Sequence, residues 1–275
     1  MSEALLERRT LAGALPLELI ACEEGAEAGR APILFVHGAY VGAWCWAEHW
    51  LGWFAGQGHA AYAVSLRGHG KSAGRDTLDG VGLAEYAEDL ATAVAACPAP
   101  PVLVGHSMGA LVVQKHLESA TCPAAVFLCP VPPTGVLAAS MSLAFLRPSL
   151  FTEIQTMAAG RRVSPRALHE VMFAGPVEGA FLARVCARMQ PESQRAVLDM
   201  SGWGLPQRWR MKLPDSLVIG AERDVLIPAA QAALAAHLLG AEYHEMPGLG
   251  HALMLEAAWR APAQVLLDWL RRRDL

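Results

Sequence analysis

A series of short apolar runs, separated by segments with helical periodicity, is the feature that most constrains the fold of this 275-residue chain. Continuous apolar runs are typical of strands buried on both faces, and their alternation with helices predicts a parallel sheet covered by helices on both sides. Apolar runs lie at 31–38 ("APILFVHG"), 60–66 ("AAYAVSL"), 101–106 ("PVLVGH"), 124–129 ("AAVFLC") and 216–220 ("SLVIG"). Strands are also predicted at 15–25, which ends in an acidic turn, and at 241–247 ("AEYHEMP"). The predicted helices lie at 42–58, 82–97, 109–120, 229–239 and 252–273. The chain is therefore predicted to have an α/β fold.

The alternation stops in the middle of the chain. After the breaker "PVPPTG" at 130–135, about eighty residues show no convincing strand and read as short helices punctuated by prolines. We therefore expect an α/β core formed by residues 1–130 and 214–275, interrupted by a helical insertion at 131–213. The length of the whole chain, 275 residues, suits a single domain with one large core.

A serine stands at the end of the strand "PVLVGH", where the chain turns directly into a helix. The spacing Gly105-x-Ser107-x-Gly109 is that of a nucleophile elbow, in which the serine occupies a strained strand-to-helix turn. The flanking glycines remove Cβ atoms that would clash there. The alternative is an ordinary tight turn with a polar residue at a helix N-terminus.

A serine nucleophile needs a base, and the base needs an orienting acid. In elbow folds the acid and then the histidine follow the serine along the chain, in loops at the carboxyl ends of strands. The loop after "SLVIG" offers Glu222 and Asp224, and the loop after "AEYHEMP" offers His251. Asp224 is the predicted acid and His251 the predicted base; the alternatives are a helix N-cap for Asp224 and a helix-starting polar residue for His251.

Negative charge that develops on the substrate requires two preorganised N–H donors. The backbone N–H of Met108, directly after the serine and at a helix N-terminus, is one candidate. Ala39 is the other, because Gly38 ends a buried strand and allows the backbone to turn inward.

Charge and cysteine usage exclude several classes of function. Lys and Arg total 22 against 26 Asp and Glu, a net charge of −4, so no nucleic-acid partner is predicted. No apolar stretch reaches the roughly 18 residues of a membrane span, and the N-terminus lacks the order of a signal peptide. The six scattered cysteines form no metal-ligand or disulfide pattern, which indicates a cytoplasmic protein without a bound metal. The predicted serine, histidine and aspartate likewise call for no organic cofactor.

The ordered set "FVHGAY…LRGHGKS…VGHSMGA…GAERDVLIP…GLGHALMLE" closely resembles the α/β-hydrolase superfamily over essentially the whole chain. "HGAYVGAWCW" followed by "AAVFLC" is similar to plant methyl-ester esterases and hydroxynitrile lyases, and "SLRGHGKS" to bacterial esterases, lysophospholipases and lipases. The resemblance implies a triad of Ser107, His251 and Asp224, oxyanion donors at Ala39 and Met108, and a cap formed by residues 131–213.

The resemblance also implies the reaction class: ester hydrolysis through an acyl-enzyme on Ser107. Thioesterase, acyltransferase and carbon–carbon bond hydrolase activities use the same core and stay open, as does a non-catalytic ligand-binding role. The similar hydroxynitrile lyases carry a lysine next to the catalytic histidine, whereas this chain has Ala252 there, which argues against lyase activity.

The insertion is rich in methionine, leucine and phenylalanine, as expected for an apolar pocket, although the same residues could simply pack a cap onto the sheet. An apolar small-molecule ester is the predicted substrate, and the predicted substrate-binding residues are Tyr40, His106, Met141, Phe145 and Phe173. Residues 67–72 are predicted to form a surface loop without chemistry. The superfamily that the chain resembles often has an acid where Ser65 stands, so the serine is a departure from the resemblance.

Overall fold

The computed structural model describes residues 5–158 and 164–275 and contains one eight-stranded sheet. The strand order is β1-β2-β4-β3-β5-β6-β7-β8. The strands are β1 (Glu7–Leu11), β2 (Leu17–Cys22), β3 (Ile33–Val36), β4 (Ala61–Val64), β5 (Val102–His106), β6 (Ala125–Leu128), β7 (Ser216–Ala221) and β8 (Glu242–Met246).

Strands β3 to β8 pair in parallel, whereas β1 and β2 join antiparallel at one side. The predicted parallel sheet is thus confirmed, and its six parallel strands end along one edge. Strand β1 was not predicted, because its residues "ERRTL" are polar and mostly exposed and carry no apolar run. Pairing with β2, in which Arg9 lies opposite Leu19, makes it a strand.

Helices cover both faces of the sheet. They are α1 (Trp44–Ala47), α2 (Trp50–Ala55), α3 (Leu83–Ala95), α4 (Met108–His116), α5 (Leu137–Leu146), α6 (Pro148–Ala158), α7 (Pro165–Met172), α8 (Gly179–Arg188), α9 (Gln194–Leu198), α10 (Ala229–Leu239) and α11 (Arg260–Arg271). Successive residues of each strand face opposite sides of the sheet. In β3, Ile33 and Phe35 belong to the apolar layer that contains α1, α2 and α11. Leu34 and Val36 belong to the layer that contains α3, α4 and α10. No helix in the described part of the chain is long and apolar enough to span a membrane.

The chain between β6 and β7 is helical. Its described residues form α5 to α9 and two short turns of helix, at Asp199–Trp203 and Arg208–Arg210, and no strand. Pro148 and Pro165 each begin a helix, where the missing N–H of proline is tolerated. The predicted boundaries 1–130 and 131–213 include residues 1–4 and 159–163, which lie outside the described residues.

Two predicted helices differ from the observed ones. The segment 42–58 splits into α1 and α2 at His49, and the predicted helix at 252–273 begins only at Arg260. Residues 251–256 are all buried turns. Ala252 N–H donates to the Met172 carbonyl at 2.8 Å, so this segment is held by a contact with the chain between β6 and β7.

Candidate active site

Ser107 joins β5 to α4 in a conformation that residues other than glycine rarely adopt, with φ of +53°. The two flanking glycines make this turn possible. A Cβ at Gly105 would lie 2.5 Å from the Gly109 carbonyl oxygen, and a Cβ at Gly109 would lie 2.5 Å from that of His37. No side chain other than hydrogen fits at either position.

The Ser107 side chain is not used as a helix cap. In the described part of the chain its hydroxyl accepts no hydrogen bond from α4, although Ser107 stands at the N-cap position. Its backbone is held instead, because its N–H donates to the Leu128 carbonyl at 3.0 Å and its carbonyl accepts from Ala110 N–H at 3.1 Å. The hydroxyl is left half-buried at the edge where the parallel strands end.

The predicted acid and base meet at the same edge. Asp224 follows β7, His251 follows β8, both are buried, and His251 Nδ1 lies 2.7 Å from Asp224 Oδ2. A carboxylate only accepts, so Nδ1 donates in this contact and Nε2 is the ring nitrogen left free to accept a proton. Of the two candidate acids, Glu222 is exposed and accepts from Gly248 N–H at 2.6 Å.

Backbone amides fix the orientation of Asp224. Its Oδ1 accepts from Leu226 N–H at 2.8 Å and from Ile227 N–H at 2.9 Å, which leaves Oδ2 for the histidine. Helix α10 begins beyond it, with Pro228 at the N-cap, so Asp224 is not a helix cap. Helix α11 likewise begins well after His251.

The loop after β3 is held by His37. Its Nδ1 lies 2.8 Å from the Gly38 carbonyl oxygen, and its Nε2 accepts from Leu66 N–H at 3.0 Å. Burial lowers the pKa of His37 to about 3, so the ring is neutral. A Cβ at Gly38 would lie 2.9 Å from His106 Nδ1 and 3.0 Å from Ser107 Cβ, so this loop lies directly against the elbow.

The geometry of this site agrees with a match between the chain and a known protein family, which covers most of the chain. The model of the "Alpha/beta hydrolase family" matches residues 33–265, which include Ser107, Asp224 and His251. The chain belongs to the alpha/beta hydrolase family.

Comparisons with individual proteins give similar sequences and similar folds. A rice protein, "Probable esterase PIR7A" of Oryza sativa subsp. indica, is 35% identical over 150 residues, which are 51% of this chain and 56% of the rice protein. The match thus spans little more than half of that relative. An esterase from Exiguobacterium antarcticum superposes with a TM-score of 0.70 at 15% identity, over 96% of this chain and 100% of the other. A bromoperoxidase from Bacillus anthracis superposes with a TM-score of 0.68 at 18% identity, over 97% and 100%. At such identities the superpositions show the fold alone.

His106 was predicted to bind substrate, but the structure places it behind the base. It is buried, its ring centroid lies 4.8 Å from that of His251, and its Nε2 donates to the His251 carbonyl at 2.9 Å. Burial lowers the pKa of His106 well below its ordinary value, so the ring is neutral. Its contacts hold the loop of the predicted base.

The other predicted substrate-binding residues divide into two groups. Tyr40 is half-buried beside Ala39, and the Phe173 backbone packs against Gly250, next to His251. Met141 and Phe145 lie on α5 with 65% and 86% of their surface exposed, so the structure does not bring them to the site. Helix α5 is apolar on nearly every side, and its sequence therefore does not indicate which face is turned inward.

The prediction of a surface loop at 67–72 was wrong, because His69 and Ser72 are buried. Glu18 on β2 supplies the carboxylate beside Ser65: its Oε2 accepts from the Ser65 hydroxyl at 2.7 Å and from Lys71 N–H at 3.0 Å. Sequence reasoning also missed Glu192, which binds His69. The sequence contains one indirect signal for Glu18, namely the serine at position 65 where an acid is common. No local sequence feature marks Glu192.

Three potential metal ligands lie together at the site. Cys129, Asp224 and His251 are buried, and their ligand atoms lie within 4.8 Å of one another. The His251 and Asp224 atoms are already hydrogen bonded to each other. We therefore interpret the cluster as an acid–base pair with a buried thiol beside it.

Proposed function

We propose that this alpha/beta hydrolase cleaves carboxylic esters of apolar small molecules through an acyl-enzyme on Ser107. The observation that carries the proposal is the strained, half-buried Ser107 at the sheet edge where His251 is bonded to Asp224. The esterase name of the rice relative supports the same chemistry. The six free thiols support a cytoplasmic location.

In the proposed reaction, His251 removes the proton of the Ser107 hydroxyl as its oxygen attacks the ester carbonyl carbon. The tetrahedral intermediate collapses when His251 returns that proton to the departing alcohol. Water then attacks the acyl-enzyme and loses a proton to His251, which returns it to the Ser107 oxygen as the acid is released. Asp224 accepts from Nδ1 throughout, so it keeps Nε2 basic and stabilises the imidazolium that forms twice per cycle.

Met108 N–H and Ala39 N–H are the proposed oxyanion donors. Met108 is the first residue of α4, where free N–H groups carry partial positive charge. For Ala39, the support comes from the bond between His37 Nδ1 and the Gly38 carbonyl. In a planar trans peptide the N–H points opposite to the C=O, so this bond turns Ala39 N–H away from His37.

The insertion at 131–213 is proposed as the cap that selects the substrate. Its Phe173 lies next to the His251 loop, and Glu256 ties the two together by accepting from Ala174 N–H at 2.7 Å and Gly250 N–H at 3.0 Å. An apolar acyl group is the proposed occupant, because pockets built from such residues gain most from apolar ligands.

The test is hydrolysis of p-nitrophenyl esters of increasing acyl length by the wild type and by Ser107→Ala. We expect turnover that the substitution abolishes, with a length optimum set by the cap. Ser119→Ala, a matched change outside the site, should leave the rate unchanged. Equal turnover by Ser107→Ala, or turnover only of thioesters or carbon–carbon bonds, would contradict the proposal.

A further inference from the structure

Tyr40, the residue after the proposed donor Ala39, has a strained backbone that is held from the insertion. Its φ is +67°, in the left-handed region that residues with a Cβ rarely occupy. Its N–H donates to Glu192 Oε2 at 3.3 Å, and its carbonyl accepts from Gln190 N–H at 3.0 Å. Both partners come from the segment between α8 and α9.

Glu192 is itself fixed by a buried network. Its Oε1 accepts from the Tyr86 hydroxyl at 2.6 Å and from Ser193 N–H at 2.8 Å, and its Oε2 lies 3.0 Å from His69 Nε2. The other ring nitrogen of His69 lies 3.0 Å from the Arg67 carbonyl oxygen. Both partners of the ring only accept, so both nitrogens carry protons and the pair is a buried imidazolium and carboxylate.

These contacts fix both peptide planes that flank Ala39. His37 Nδ1 holds the Gly38 carbonyl, which sets the plane before Ala39, and Glu192 Oε2 holds Tyr40 N–H, which sets the plane after it. The Ala39 N–H lies in the first of these planes, and loss of the bond to Glu192 would let the strained Tyr40 backbone relax and move Ala39 with it. The direction of that N–H therefore depends on a carboxylate from the insertion.

We propose that Glu192 is a positioning residue that keeps the Ala39 N–H aimed at the oxyanion. This inference rests on the proposed function. It makes the insertion part of the catalytic apparatus as well as a cover over the substrate, since a residue far along the chain completes the geometry of the loop after β3.

The experiment compares wild type, Glu192→Gln, Glu192→Ala and Glu48→Gln. Glu48 is the matched control, because it joins the insertion to the core through Arg188 at 2.6 Å but does not contact the loop at 37–40. We expect kcat for p-nitrophenyl acetate to fall about 10- to 100-fold in both Glu192 variants, somewhat less than for outright loss of a donor, with KM nearly unchanged. Glu48→Gln should match the wild type. Unchanged kcat in the Glu192 variants, or an equal loss in Glu48→Gln, would overturn the inference.

Amide hydrogen exchange of the segment 37–42 provides a readout that does not depend on turnover. We expect faster exchange there in folded Glu192→Gln than in wild type and Glu48→Gln. If the wild type hydrolyses no ester, the proposed function fails, while faster exchange still supports the positioning role. If exchange is unchanged in Glu192→Gln, the positioning role is wrong whatever the substrate.

Discussion

At the scale of single residues, the site depends on which ring nitrogen of His251 carries the proton. Asp224 accepts the Nδ1 proton of His251, and both oxygens of the carboxylate are used, one by the ring and one by two backbone amides. An amide in place of the carboxylate would present a donor or a weaker acceptor to the ring. The tautomer that leaves Nε2 basic would lose its support.

We therefore expect Asp224→Asn to reduce kcat for p-nitrophenyl esters about 10³- to 10⁴-fold while the protein stays folded. Glu222→Gln is the matched control, since Glu222 lies on the same loop, is exposed and its side chain accepts from Gly248 N–H, away from the acid–base pair. Steady-state kinetics and circular dichroism of both variants would check this. A loss in Glu222→Gln comparable to that in Asp224→Asn would contradict the assignment of the acid.

At the scale of elements, the loop at 67–72 is joined to the insertion by the pair of His69 and Glu192. Burial alone would lower the pKa of His69, but the carboxylate of Glu192 outweighs it and raises that pKa above 6.5. Burial alone would raise the pKa of Glu192, but the imidazolium of His69 outweighs it and lowers that pKa below 4.5. Each group thus stabilises the fold when the other is charged.

The contribution from His69 is full below its ordinary pKa of 6.5 and is lost as pH rises through the raised value. The contribution from Glu192 is full above 4.5 and is lost as pH falls through the lowered value. We expect the difference in melting temperature between wild type and His69→Gln to be largest between pH 4.5 and 6.5, and to shrink in strongly alkaline buffer. A difference that does not shrink in strongly alkaline buffer would show that the pair is not an ion pair.

At the scale of the whole molecule, stability comes from the two apolar layers on either side of the sheet. Helix α11 closes one layer with Leu266, Leu267, Trp269 and Leu270, all fully buried. Removing a large core side chain costs its transfer free energy and leaves a cavity. The last helix of the chain is therefore needed to cover the sheet.

Leu266→Ala should lower the free energy of unfolding by about 2–5 kcal/mol. Leu234→Ala, in α10 with 40% of the leucine exposed, should lower it by less than about 1 kcal/mol. Urea denaturation followed by fluorescence of the eight tryptophans would measure both values. Similar losses in the two variants would mean that α11 does not close the core as described.

The parts of this protein that local sequence specifies were predictable. Seven of the eight strands were predicted, most of them from apolar runs. The glycines around Ser107 marked the elbow, because clearance for a strained turn depends on immediate neighbours. Chain order and the common edge of parallel strands then indicated Asp224 and His251, which the structure brings to 2.7 Å.

Other features depend on contacts between distant parts of the chain. Strand β1 forms only by pairing with β2, His106 lies behind His251 rather than in a pocket, and Met141 and Phe145 face solvent on a helix that is apolar on nearly every side. The bond between His69 and Glu192 joins residues 123 positions apart. The sequence by itself determined most of the strands, the elbow and the order of the predicted triad, since periodicity and backbone sterics act over a few residues. Only the tertiary structure decided which buried polar groups meet. A buried carboxylate needs a partner, and that partner can come from any part of the chain that the fold brings beside it.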